Sequence, residues 1–140
     1  MFLNKYLILL LAAAIFSSCG TRSESSVKFT QYYLKGEQLY ALHCSNCHQK
    51  DGSGLRKIYP PLDSSDFMNS RMSDVICLIR KGKTGEIIVN NTKFNQPMPP
   101  FPNLTDIEIA EISTYIYNTW SHKKGLIDVK EASRILSECK

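Results

Sequence analysis

Cys44, Cys47 and His48 are the residues of this chain whose types and spacing could do chemistry. The run Cys44-Ser45-Asn46-Cys47-His48 is Cys-x-x-Cys-His, the attachment signature of a c-type haem. On a helix, Cys44 and Cys47 are i,i+3 neighbours and Cys44 and His48 are i,i+4 neighbours, so all three side chains leave from one face. One haem can meet all three: the thiols add across its two vinyl groups as thioethers, and the His48 imidazole reaches the iron as the proximal ligand. Two other readings of the same cysteines are weaker. A thioredoxin-like redox pair wants a strand leading into a helix, whereas Tyr32 to His43 reads as a helix running straight into the motif. A structural zinc site wants a second ligand pair at short spacing, and Cys77 and Cys139 stand isolated.

The chain opens with a basic start at Lys5, an apolar run from Tyr6 to Phe16, and the small residues Ser17-Ser18 before Cys19. That is the layout of a secretory signal over residues 1–18, and the run falls short of the about 20 apolar residues that span a bilayer. A cysteine directly after the small residues resembles a bacterial lipoprotein box, in which Cys19 becomes the new N-terminus and carries lipid; the plainer alternative is ordinary cleavage with a free thiol. Both place the mature chain outside the cytoplasm, on the periplasmic side of a bacterial membrane, and the first tethers it there. Loss of the signal takes Lys5 from the 17 basic residues and none of the 13 acidic ones. The net charge, +4 for the whole chain, stays mildly positive, which is no nucleic-acid footprint. Of the five cysteines, Cys77 and Cys139 remain. They could bridge in an oxidising compartment, but the apolar helical pattern around Cys77 favours a buried free thiol.

The elements that must position the motif read as helices. Residues 19–29 are polar and serine-rich without periodicity, which predicts a flexible tether. A first helix runs from about Thr30 to Cys44 and contains Gly36, an expensive residue there unless another helix packs close. A second, from about Arg71 to Lys81, carries Met72, Val75, Ile76 and Ile79 at i, i+3, i+4 and i+7 and stops at Gly82. Ile87 to Phe94 suggests a small hairpin turning at Asn90-Asn91. A third helix starts at Thr105, whose Thr-Asp-Ile-Glu reads as a capping box with Glu108, Leu104 and Ile109 being placed as a hydrophobic staple. A last short helix spans Asp128 to about Glu138. Residues 121–140 are expected to fold back through Leu126, Val129, Ile135 and Leu136.

This order of elements resembles a class I monohaem cytochrome c over Thr30 to Trp120. The resemblance implies an all-α, cytochrome c-like domain (residues 30–120) built round one covalent haem c, with a small hairpin and a C-terminal extension. It implies that Gly36 and Tyr40 lie where the N-terminal helix crosses the C-terminal one, against Ile112, Tyr115 and Ile116. Tyr59-Pro60-Pro61-Leu62 is similar to the family's proline-leucine segment, in which the Pro60 carbonyl would accept from the second nitrogen of His48. Gln96-Pro97-Met98-Pro99-Pro100-Phe101 is similar to the family's distal loop and makes Met98 the sixth ligand, stiffened by prolines. Met68 and Met72 are its rivals, Met72 fitting better as part of a helix stripe. His43 sits on the same arm as His48, and His122 is expected in solvent.

With His48 and Met98 on the iron, no position is left open for a substrate. The resemblance therefore implies a one-electron carrier between redox proteins, not an enzyme and without a small-molecule substrate. Arg71, Arg80, Lys81, Lys83 and Lys93 could favour an acidic partner. A fixed subunit of a larger oxidase or dehydrogenase, or a haem protein with an open distal site, are the alternatives.

Overall fold

The computed structural model describes residues 23–139. The signal segment and Cys19 lie outside the described residues, and among those described no helix is long and apolar enough to cross a membrane. Helix α1 spans Glu24–His43. It begins upstream of the predicted start at Thr30, so residues 24–29 are helix rather than tether. Two things override the polar composition. Ser23 caps the helix by accepting from the Ser26 N–H, the role that favours serine at a helix start. The first turns are also held in place, because Lys28 pairs with Asp128 and Phe29 stacks on Tyr33 with ring centroids 5.9 Å apart.

A one-turn helix, α2 (Ser45–His48), follows α1 directly. Helix α3 is Asp66–Ser70 and α4 is Met72–Lys81. Strands β1 (Ile87–Val89) and β2 (Thr92–Phe94) pair antiparallel in the register Ile87–Phe94, Ile88–Lys93, Val89–Thr92. Their turn residues, Asn90 and Asn91, have φ of 49° and 57°, the pair of left-handed conformations a two-residue hairpin needs and asparagine tolerates. Helix α5 is Asp106–Ile116 and α6 is Val129–Glu138.

The frame is the crossing of α1 and α5. At Gly36 a Cβ would fall 2.0 Å from the Glu111 carbonyl oxygen and 2.8 Å from the Tyr115 Cβ, so only glycine lets the backbones approach this closely. Tyr33, Tyr40 and Trp120 pack round Tyr115 with centroids 5.2, 5.3 and 6.0 Å away. The core continues through Ile76 and Ile79 of α4 and Ile109, Ile112 and Ile116 of α5, all buried. Helix α5 starts with a full capping box: Thr105 donates its N–H to Glu108 at 2.7 Å, and the Glu108 N–H returns to the Thr105 hydroxyl at 3.4 Å.

Helix α6 lies against α4 and α5. Asp128 caps it by accepting from the Lys130 N–H at 2.9 Å, and Ile135 is buried in the main core. Two expectations are corrected here. Cys77 is not a free thiol: it is bonded to Cys139, with Cα atoms 5.7 Å apart. The return of α6 along α4 brings residue 139 to the face of α4 that carries Cys77, a pairing that no local pattern reveals. His122 is not in solvent either. It is only 3% exposed, with Nε2 2.8 Å from the Leu62 carbonyl oxygen and Nδ1 3.1 Å from the Asn69 side chain. Both ring nitrogens therefore find partners inside the fold, which removes the penalty for burying them.

Candidate functional site

Cys44 ends α1 with its N–H donating to the Tyr40 carbonyl at 2.9 Å; the N–H groups of Cys47 and His48 then donate to the Cys44 carbonyl at 3.2 and 3.0 Å. One further helical turn carries the motif into the mouth of an apolar cavity. Cys44, Cys47 and His48 line this cavity together with Tyr59, Pro60, Met68, Ile79, Met98 and Ile116, among others. Its volume is about 940 Å³ counting the open mouth, near the upper end of the about 300–1,000 Å³ usual for cofactor sites.

His48 Nδ1 is 3.0 Å from the Pro60 carbonyl oxygen. A carbonyl only accepts, so Nδ1 carries the proton and Nε2 keeps a free lone pair. Burial holds the His48 pKa below its ordinary value, against the smaller opposing effect of the Pro60 hydrogen bond, and the ring is neutral, as a metal ligand must be. Burial, followed by the nearby Cys47, pushes the Cys44 thiol up to about 12. Such a thiol holds its proton at neutral pH, unlike the low-pKa cysteine of a redox-active pair.

Met98 is held by its backbone: Lys83 N–H donates to the Met98 carbonyl and Met98 N–H donates to the Lys83 carbonyl, both at 2.9 Å. The preceding Gly82 has φ of 70°, and a Cβ there would fall 2.5 Å from the Met98 carbonyl oxygen. In the sequence Gly82 reads only as a helix stop; the structure gives it this second task. Met68 also lines the cavity, while Met72 does not. Met68 is 2% exposed, on a helix whose capping Ser65 accepts from the Met68 N–H at 3.2 Å. His43 packs edge-on to Phe101, with centroids 5.4 Å apart.

The basic residues predicted to favour an acidic partner mostly have internal work. Arg80 donates to the carbonyls of Pro102, at 3.0 Å, and Leu104, and to Asp106 at 2.7 Å, so it fastens the segment that enters α5 and is not a free surface charge. Lys81 donates to the Cys139 carbonyl at 2.7 Å. Arg71 and Lys93 pair with Asp74 and Glu86. Lys83 lines the cavity mouth. Several lining residues escape sequence reasoning, among them Leu78, Val89 and Gln96, because only the folding of the hairpin and distal loop over α4 brings them together. Tyr59 had a signal in its place beside Pro60.

The donors gathered here are two thiols, a neutral imidazole nitrogen and thioether sulfur in an apolar wall. They fit a porphyrin iron, for which sulfur and imidazole are the usual protein ligands. The family model for cytochrome c matches residues 33–120. The chain belongs to the cytochrome c family. Cytochrome c-552 of Thermus thermophilus is 31% identical over 93 residues, covering 64% of this chain and 70% of that one. For cytochrome c-552 of a second strain of that species the identity is again 31%, and the chain spans 62% of that relative's length. The cytochrome c subunit of a quinone alcohol dehydrogenase from Gluconobacter oxydans is 28% identical over 104 residues, 71% of this chain but 21% of that protein. As a cytochrome c, the protein binds haem c covalently and functions in electron transfer rather than as an enzyme.

Proposed function

We propose that Cys44 and Cys47 carry the haem, that His48 and Met98 are its axial ligands, and that this cytochrome shuttles single electrons between redox proteins outside the cytoplasm while lipid on Cys19 holds it to the membrane. Haem c, when bound, supplies a reversible one-electron couple at its iron. The Pro60 carbonyl fixes the His48 tautomer and turns Nε2 away from itself. The observation that carries the ligand assignment is the double backbone hydrogen bond between Met98 and Lys83 beneath a loop with prolines on both sides. It pre-sets the direction of the Met98 side chain, and Met98 shares one cavity with His48. A neutral, soft thioether favours the reduced form, and the apolar walls add to that preference by excluding water. Two protein side chains on the axial positions leave none for a substrate.

The likeness to the Gluconobacter dehydrogenase subunit favours a second reading, in which the cytochrome remains a fixed part of a larger complex. Purification from native membranes separates the two: a shuttle elutes alone, a subunit with its enzyme. The same material, by mass spectrometry, is expected to carry lipid on Cys19; an unmodified Cys19 removes the anchor. Ligation is tested by Met98→Ala, which abolishes the weak sulfur-to-iron charge-transfer band of the oxidised protein while Met68→Ala retains it. Persistence of the band in Met98→Ala assigns the ligand elsewhere.

A further inference from the structure

Gln49, the residue after His48, has φ of 62° and ψ of 161°, a combination that is populated essentially only by glycine. A non-glycine residue stays there only where its surroundings over-determine it. Its carbonyl accepts from the Gly52 N–H at 3.2 Å, and its side-chain amide donates to the Asn46 carbonyl at 3.3 Å; both are contacts within the same loop. The one hold from another element is the Tyr40 phenol of α1, which donates to the Gln49 carbonyl at 2.6 Å. Tyr40 is 2% exposed, with Trp120 and Tyr115 at 5.6 and 5.3 Å. Burial raises its pKa above the ordinary phenol value, so it remains a donor at neutral pH. The next loop bond, Gly54 N–H to the His48 carbonyl at 3.0 Å, runs through the same peptide.

We infer that Tyr40 is a positioning residue for His48: its hydroxyl pins a strained peptide at Gln49 and so fixes the backbone on the far side of the ligand, while Pro60 fixes the ring. The ring of Tyr40 already has a packing role at the α1–α5 crossing, and the hydroxyl carries the separate task. The inference rests on the reading of His48 as an axial ligand.

The test uses the full haem-loaded protein and three variants, Tyr40→Phe, Gln49→Gly and the two combined. Amide hydrogen exchange at Gly52 and Gly54 reports the loop, and the paramagnetically shifted His48 protons of the oxidised protein report the ligand. In Tyr40→Phe, exchange at both glycines rises about tenfold, the change expected from losing one buried hydrogen bond, and the His48 shifts move. Glycine at position 49 removes the strain, so the combined variant returns toward the unmodified rates and shifts. Unchanged exchange and shifts in Tyr40→Phe overturn the inference, as does a combined variant as disturbed as Tyr40→Phe. Where Tyr40→Phe does not fold, Gln49→Gly alone decides, since a raised urea midpoint is expected and a lowered one overturns the inference. Absence of paramagnetic shifts on His48 in the unmodified protein overturns the ligand reading and with it the positioning role, whatever the exchange at Gly52 and Gly54.

Discussion

Replacing both Cys77 and Cys139 by alanine opens a cross-link across 62 residues. By the loop-closure relation a loop of that length removes about 14 cal/mol/K of entropy from the unfolded chain, or about 4.3 kcal/mol at 25 °C. Residual structure in the unfolded chain subtracts from this, so the expected loss is about 3–4 kcal/mol. With a urea slope of about 1.5–2 kcal/mol per molar for a domain of this size, the midpoint falls by about 2 M. The assay is equilibrium urea unfolding of the oxidised, haem-loaded protein. Trp120, the single tryptophan, reports by fluorescence as it leaves its contacts with Tyr40 and Tyr115. Because α6 contributes no residue to the cavity wall, the visible spectrum of the folded variant stays that of the unmodified protein. A midpoint drop of less than about 0.5 M at unchanged slope, corresponding to under about 1 kcal/mol, refutes the loop-entropy reasoning. Two thiols that titrate in the unfolded, unreduced protein refute its premise.

Gly36→Ala gains about 1 kcal/mol of helix propensity but drives a Cβ to 2.0 Å from a backbone oxygen that cannot swing aside; overpacking of about 3 kcal/mol or more leaves a net loss, read as a lower thermal midpoint, and a raised midpoint sinks the close-approach account. Glu108 has its pKa lowered from 4.5 by the backbone N–H and hydroxyl of Thr105. Its contribution is therefore present above 4.5 and lost as pH falls through the lower folded value. Glu108→Gln should flatten the acid limb of a stability-against-pH curve, and a curve that keeps its slope excludes the capping carboxylate as a source.

What could be read in the sequence was whatever depends on near neighbours. The haem motif, the Thr105 capping box, the Asn90-Asn91 turn and the α4 stripe each declare themselves within a few residues. Gly36 was legible because a glycine inside a helical pattern has few reasons to be there, and Pro60 and Met98 came from the resemblance rather than from their surroundings. The misreadings share a different cause. The Cys77–Cys139 bond, the burial of His122 and the internal bonding of Arg80 each depend on a partner 22 to 62 residues away, and no local periodicity encodes such a meeting. The early start of α1 belongs with them: Ser23 was a visible cap, yet the grip of Asp128 on Lys28 is tertiary.

The last segment touches the rest at widely separated points: Asp128 against the beginning of α1, Ile135 in the core, and Cys139 on α4. None of its residues borders the haem cavity. Mechanical support and redox chemistry are thus written in different parts of the chain, and they can be edited separately. A designer wishing to fuse a second module or graft a binding helix should work on the outer face of α6, whose Lys130 and Arg134 point into solvent, and keep those three points of attachment.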